Sequence, residues 1–273
     1  MKQPLTVLGF GAVAPYTPAD APHGTPDARF ATDASGSGSQ RGERPLLDLA
    51  LLERTLRRGL SDVTRLFMHA AKLALDDAGR EPTHMHVIFA SALGEIGTAE
   101  ALLAEAYDAN GSSPARFRNS VHNTAAGLLS ISTHNRLACT AIAAGWETVP
   151  MALCEAAAQL ASQAETVLLV FAEERVPRAL SDQHPHGPLG AAFVLTRAAA
   201  PGVRARGTLV NLRRQPHNEQ VALAAPLEPH PLASALALVE ALSTTERRPR
   251  ACTLALSDGE NPWCVDVHAG EPS

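Results

Sequence analysis

Residues 136–174 read RLACTAIAAGWETVPMALCEAAAQLASQAETVLLVFAEE, and the way this stretch divides decides the fold. Its last part, ETVLLVFAEE, holds an unbroken apolar run at 166 to 172, the pattern of a strand buried on both faces. Before it, ETVPMALCEAAAQLASQ places Ala and Leu at helical intervals, with Pro150 tolerated only in a first turn or at a kink. RLACTAIAAG (136–145) begins as a strand and turns toward helix near Thr140 to Gly145. Strand, helix and strand in succession form one unit of a layered α/β domain.

Working outward, LGAAFVLTR (189–197) supplies a further strand and HMHVIFASA a buried one at 84–90. NSVHNTAAGLLSIST (119–133) reads as a closely packing helix, and GTAEALLAEAYDANG as another, ended by Asn110-Gly111. In SDVTRLFMHAAKLALDDAGR, Val63, Leu66, Phe67, Ala70, Ala71, Ala74 and Ala78 recur at helix spacing. Ser61 or Asp62 caps its start and Gly79 its end. Leu47 to Leu56 is a short helical candidate, and Leu5 to Phe10 a first strand closed by Gly9 and Gly11. Residues 15–46, rich in Pro, Gly, Ser, Asp and Arg, cannot bury enough surface to offset their ordering entropy and are expected to form a long mobile loop. Beyond 197, GTLVNLR, PLASALALVEALS, RACTLAL and WCVDVHA predict strand, helix, strand and strand. The expected organisation is a principal unit over 1–197 and a small α/β extension of the same domain over 198–273.

With 273 residues, 45% of them hydrophobic, the chain can build a sizeable core, while an aromatic fraction of 4% implies tight layering through small side chains. Lys+Arg number 23 against 28 Asp+Glu, a formal charge of -5, which gives no electrostatic reason to expect nucleic acid or an anionic membrane as partner. No run is long and apolar enough for a membrane span, and the N-terminus reads as a strand instead of a signal peptide. The cysteines at 139, 154, 252 and 264 lack metal-type spacing and read as reduced, apolar thiols, those at 139 and 154 in a buried segment, of a cytoplasmic protein.

Several residue sets invite chemistry. Cys139 precedes an expected helix N-terminus, where unpaired N–H groups stabilise a thiolate, and His122 and His134 lie near it in sequence. No third orienting group is evident, and a buried structural thiol is the simpler account. His84 and His86 on one strand face, His184 and His186 around a proline, His217 and His230 form no metal-ligand pattern, so no metal is expected. LGFGAV has glycines after a strand, but Pro15 follows instead of a helix, against a dinucleotide site; no cofactor is expected. Glu95, Glu173 and Glu174 follow strand ends and are expected to be solvated or to cap.

The middle of the chain resembles the N-terminal half of a β-ketoacyl synthase, and more closely the short synthase-like chain length factors of aryl polyene and related polyketide clusters. LTVLGFGAVAP is similar to that family's first strand and turn, TRLFMHAAKLALDDAG to its early helix, and FRNSVHNTAAGLLSIST to its N-A-A-G segment. TAIAAGWETVPMALCEAAAQLASQAETVLLVFAEE resembles its nucleophile elbow, long helix and next strand, and HGPLGAAFVLTR the strand after it. The resemblance covers roughly 4–197 and implies a three-layer α/β/α thiolase-like half with a mixed five-stranded sheet.

In condensing members of that family the elbow reads T-A-C-x-x-G and its cysteine takes the acyl chain. Here Thr140, Ala141, Ile142, Ala143, Ala144 and Gly145 match it, so Ile142 stands at the nucleophile position. Cys139 is a poor substitute, because displacing a nucleophile by about 1 Å costs on the order of a hundredfold in rate. The family's decarboxylating histidines belong to a second half, and His217, His230 and His268 lack the expected glycine-containing settings. The resemblance therefore implies a non-catalytic subunit that pairs with a β-ketoacyl-ACP synthase as a heterodimer, receives chains from an acyl carrier protein, and bounds the acyl tunnel. His122, Asn123, Leu137, Cys139, Thr140, Ile142 and Trp146 are the tunnel or interface candidates. The alternatives are a diverged synthase acting through Cys139 and a purely structural scaffold.

Overall fold

The computed structural model describes residues 4–13, 47–107, 113–180, 186–216, 221–222, 230–243 and 251–270. The expected loop over 15–46 lies outside the described residues, as do His184 and His217.

β4 (Thr166–Glu173) is the apolar run of the sequence, and its residues alternate strictly between two cores. Val167, Leu169 and Phe171 enter one core, Leu168, Val170 and Ala172 the other. A strand buried on both faces needs a helical layer on each side. α1 (Asp62–Ala78) and α4 (Thr124–Thr133) cover one face, while α5 (Thr148–Ser162) and α6 (Ala233–Leu242) cover the other. The three-layer α/β/α architecture follows. Two further helices, α2 (Ile96–Tyr107) and α3 (Pro114–Arg118), bury none of their own residues.

The remaining strands are β1 (Leu5–Val13), β2 (His86–Ala90), β3 (Cys139–Ile142), β5 (Leu189–Thr196), β6 (Gly207–Arg214), β7 (Val221–Ala222), β8 (Ala251–Ala255) and β9 (Trp263–Ala269). They form one mixed sheet in the order β3-β2-β4-β5-β1-β6-β9-β8-β7. β2 runs parallel to β3 and β4, whereas β4, β5, β1 and β6 pair antiparallel in turn. The expected five strands are β3-β2-β4-β5-β1, and the sheet is larger than five because β6, β9, β8 and β7 continue it from the β1 side. Bonding to β1 satisfies the backbone of β6 and removes an exposed edge.

Local chemistry accounts for the element ends. Ser61 Oγ accepts the Thr64 N–H at 3.1 Å to open α1, and Gly79 closes it at φ 59°. Pro150 sits in the first turn of α5, where its missing N–H costs nothing. The glycines of LGFGAV serve packing: a Cβ at Gly9 would lie 2.4 Å from the Ala78 nitrogen, so α1 can approach β1 only over glycine. Asp77 then accepts the Phe10 N–H at 3.1 Å and pairs with Arg206, joining α1, β1 and the lead into β6.

Several expectations are corrected. Leu47–Leu56 forms no α-helix, only a 3-10 turn at Arg54–Arg57 nearby. His84 ends a 3-10 turn and His86 begins β2, so the two do not share a strand face. The helix over 119–133 starts only at Thr124. The turn toward helix is also later than expected: Thr140 to Ile142 stay in β3, and α5 begins at Thr148. Cys139 is exposed, not buried.

Candidate functional site

Among the described residues β3 is the edge strand of the sheet, paired only with β2, with Ala90 opposite Ile142. Alternation along the strand decides which side chains face which layer. Thr140 and Ile142 face α5: the Thr140 hydroxyl accepts from Gln159 Nε2 at 3.1 Å, and half-buried Ile142 packs against the core that α5 completes. Cys139 and Ala141 point to the opposite face, where Ala141 packs against the α1 and α4 core. Cys139 and Ile142 therefore lie on different sides of one strand.

After Ile142 the chain turns sharply. Gly145 adopts φ 55°, a 3-10 turn runs over Gly145–Glu147, and α5 follows. Buried Thr148 closes this elbow, donating its hydroxyl to the Gly145 carbonyl at 2.7 Å and accepting the Ala144 N–H at 3.1 Å. On the strand side, the Ile142 carbonyl accepts the Ser91 N–H at 3.0 Å and His122 Nε2–H at 3.2 Å. The His122 ring lies 5.4 Å from that of Phe89 and occupies the space a Cβ on Gly94 would need.

Other candidates have simpler places. Asn123 is the exposed N-cap residue of α4, without a side-chain cap bond. Leu137 is exposed, its N–H held by Asn135 Oδ1 at 3.1 Å, while buried Asn135 donates to the Met85 carbonyl at 2.6 Å. Desolvation raises the Cys139 thiol above its usual pKa, opposed by a smaller hydrogen-bond effect of Ser130. No helix starts at Cys139, so the expected thiolate-stabilising N–H groups are elsewhere, and His122 is engaged with Ile142.

Trp146, half-exposed, borders an apolar cleft of about 250 Å³ lined also by Ala92, Leu93, Ile96, Gly145, Val176, Leu180, His186 and Pro231. Pro231 belongs to the C-terminal extension, to which the sequence assigned no chemistry. Arg214 of β6 also pairs with Glu147 beside Trp146 and stacks on Trp263 at 5.3 Å.

The wall formed by 91–97 hangs on carboxylates expected to be solvated or capping. They cap, but from the interior: Glu95, Glu173 and Glu174 are all buried. Glu173 accepts from the Ala92 N–H at 2.7 Å, Ser91 Oγ at 3.0 Å and the Leu93 N–H at 3.2 Å. Glu174 accepts the Gly97 N–H at 2.8 Å and the Val63 N–H at 3.3 Å, and Glu95 accepts the Thr64 hydroxyl at 2.9 Å. Burial pushes Glu173 and Glu174 up to about 7, against the hydrogen bonds that favour their charge; Glu95 is raised for the same reason. Thr148, Asn135 and these roles of the glutamates escaped the sequence, since each depends on a partner distant in the chain.

Large exposed apolar side chains concentrate before and after β3: Leu103 and Tyr107 on α2, Phe117 on α3, Val121, Ile131 on α4, Leu137 and Trp146. Among the described residues no helix is long and apolar enough to cross a membrane, and no group of three or more His, Cys, Asp or Glu is arranged to hold a metal.

The family described as Beta-ketoacyl synthase, N-terminal domain, matches residues 32–264. Three solved structures share the fold. In the ketosynthase (ApeO) in complex with its chain length factor (ApeC) from Xenorhabdus doucetiae, the matching chain is 22% identical at TM-score 0.66, over 97% of this chain and 99% of that one. The ishigamide ketosynthase/chain length factor gives 15% and 0.69, over 99% and 100%. AntDE:AntF, a type II PKS acyl-carrier protein in complex with its ketosynthase, gives 12% and 0.71, also over 99% and 100%. No curated protein sequence matches this chain.

Proposed function

From the premise that this chain belongs to the β-ketoacyl synthase N-terminal domain family, we propose that it is a non-catalytic, chain length factor-like subunit. In this reading it pairs with a β-ketoacyl-ACP synthase and shapes the tunnel that holds the acyl chain. The observation that carries it is Ile142, which stands at the elbow with its side chain toward α5 and no group able to form a thioester. Cys139 is a weak stand-in, since it faces the other layer and its thiol is held protonated. Neither metal nor nicotinamide is called for, and four cysteines without metal-type spacing suit the reducing cytoplasm.

The partner side of the proposal rests on edge strand β3 and on the exposed Leu137 and Trp146 that flank it in sequence. An exposed edge with unpaired N–H and C=O groups favours pairing with another chain, and the solved relatives include a synthase complexed with its chain length factor. Co-expression with the cognate synthase is expected to raise solubility and to give a heterodimer by light scattering. A well-behaved monomer that ignores the synthase rejects the proposal.

A further inference from the structure

β6 changes parity partway along its length. Leu209 and Leu212 both enter the core that α5 and α6 cover, although side chains of a regular strand alternate and these two stand three positions apart. The pairing gives the reason: it advances three residues along β6, from Val210 to Arg213, against two along β9, from Asp266 to Cys264, which is a β-bulge. Asn211 adopts φ 55° within it, a conformation that asparagine tolerates better than most residues. Asp266 fixes the bulge from the neighbouring strand. Its carboxylate accepts from Asn211 Nδ2 at 2.8 Å, Arg213 Nη1 at 3.0 Å, Arg213 Nη2 at 3.1 Å and Thr253 Oγ1 at 2.8 Å. Arg213 Nη1 also donates to the Asn211 carbonyl at 2.7 Å.

In an unbroken strand Arg214 would share the face of Thr208 and Val210, away from α5 and α6. The extra residue moves it to the face of Leu212. There its guanidinium stands 5.3 Å from the ring centroid of Trp263, its cross-strand neighbour, and pairs with Glu147. Glu147 ends the 3-10 turn that carries Trp146, and as the N-cap residue of α5 it makes no side-chain cap bond.

An ion pair between half-exposed side chains adds little by itself, because ordering two long side chains offsets their attraction. Here the fold does much of that ordering: the bulge sets the direction of Arg214, and the indole face of Trp263 holds its guanidinium. Trp146 is half-exposed, so core packing does not fix its turn, and Thr148 holds the Ala144–Gly145 side of the elbow through its hydroxyl. Arg214 grips the other side.

We propose that Arg214 is a positioning residue of the elbow: the β6 bulge aims it at Glu147, and the pair steadies the turn that carries Trp146, so that the C-terminal extension sets where the indole stands. That the place of Trp146 governs product length rests on the tunnel-shaping reading above; the latch itself does not.

Hydrogen exchange of the full-length chain, read by mass spectrometry, tests the latch, because the Glu147 N–H is bonded to the Ala144 carbonyl at 3.0 Å and exchanges when the turn opens. Arg214→Leu, at an exposed position, is expected to speed exchange in the peptide over 143–149 by about three- to fivefold, the worth of one well-ordered surface pair. Peptides from β4 and β5 should keep their protection. Arg214→Lys, which retains the charge but not the planar stack, should recover part of the loss. Asp266→Asn, which loosens the bulge, should speed the same peptide and add nothing further to Arg214→Leu. Should Asp266→Asn unfold the extension, the two Arg214 variants decide alone. Exchange unchanged by Arg214→Leu, no recovery by lysine, or additive effects of Asp266→Asn and Arg214→Leu would each overturn the proposal. In the reconstituted pair Arg214→Leu should broaden the distribution of product lengths; unchanged lengths with the exchange effect intact would reject length control by Trp146 and leave the latch standing.

Discussion

The ring of His122 donates from Nε2 to the carbonyl oxygen of Ile142 at 3.2 Å, across the close approach that Gly94 permits. His122 precedes α4, whereas Ile142 ends the edge strand, so this bond fixes the end of β3 from outside the sheet. An edge strand has only one neighbour to define its position, and here a side chain supplies part of the missing constraint.

His122→Ala is therefore expected to destabilise the chain by about 1–2 kcal/mol, from one lost hydrogen bond and the ring contact with Phe89. Denaturant melts measure this cost. Because the loosened residue lies at the proposed seam, the affinity for the synthase should fall as well; an unchanged melt and an unchanged affinity would remove His122 from any positioning role.

Incubation with an acyl-loaded carrier protein, followed by intact mass measurement, should give no acyl-enzyme. The reason is geometric: Ile142 cannot form a thioester, and Cys139 faces the wrong layer with a raised pKa. A stoichiometric adduct that disappears in Cys139→Ala would restore the reading as a diverged synthase.

Trp146→Ala should retain the heterodimer and lengthen the products of the reconstituted pair. The indole is half-exposed in the cleft, so truncation should cost well below the roughly 3–5 kcal/mol typical of a buried Trp. Removing about 150–250 Å² of ring surface opens space for further chain. Loss of the complex, or unchanged lengths at normal activity, would leave Trp146 as a packing residue.

Glu174 gives a signed pH dependence. Its pKa is raised to about 7 in the folded chain against 4.5 for an ordinary glutamate, so between these limits the folded state binds more protons than the unfolded one. Its contribution to stability is thus full below 4.5 and is lost as pH rises toward 7. Relative to wild type, Glu174→Gln should gain stability progressively over that interval and then level off. His230, whose depressed pKa acts with opposite sign below 6.5, is common to both proteins and cancels in the comparison, whereas Glu173, also raised to about 7, chiefly by burial and in part by Glu174, moves in the same direction. A difference between the proteins that does not vary from pH 4.5 to 7 would show that Glu174 carries no such shift.

Gly9→Ala should be among the more damaging single-methyl changes, since the new Cβ would sit 2.4 Å from a backbone nitrogen of α1. Overpacking typically costs about 1–3 kcal/mol, and rigid backbone on the far side places this site toward the upper end. A melting temperature equal to wild type would mean that α1 can shift freely over β1.

The sequence by itself determined the elements whose signals are local and periodic. Val63 to Ala78 repeat at helix spacing between a serine cap and a glycine stop, and the run at 166 to 172 has the length and continuity of a doubly buried strand. For the elbow the sequence supplied a resemblance only: Thr140 to Gly145 can be matched to a family pattern, and that match implies Ile142 at the nucleophile position. Tertiary structure alone decided what depends on neighbours far along the chain. The extension joins the sheet because β6 bonds to β1, a pairing that neither strand's composition announces. Glu173 and Glu174, indistinguishable in sequence from surface carboxylates, are buried because the backbone N–H groups of the 91–97 turn need acceptors there. Cys139 and Ile142 are near neighbours in the chain, yet the alternation of a strand sends their side chains to opposite layers. His186 meets His230 at 4.5 Å between ring centroids only because the chain around Pro231 returns to the side of the cleft. Helical and strand periods are written in successive residues, whereas burial, pairing and polar satisfaction are properties of the assembled whole.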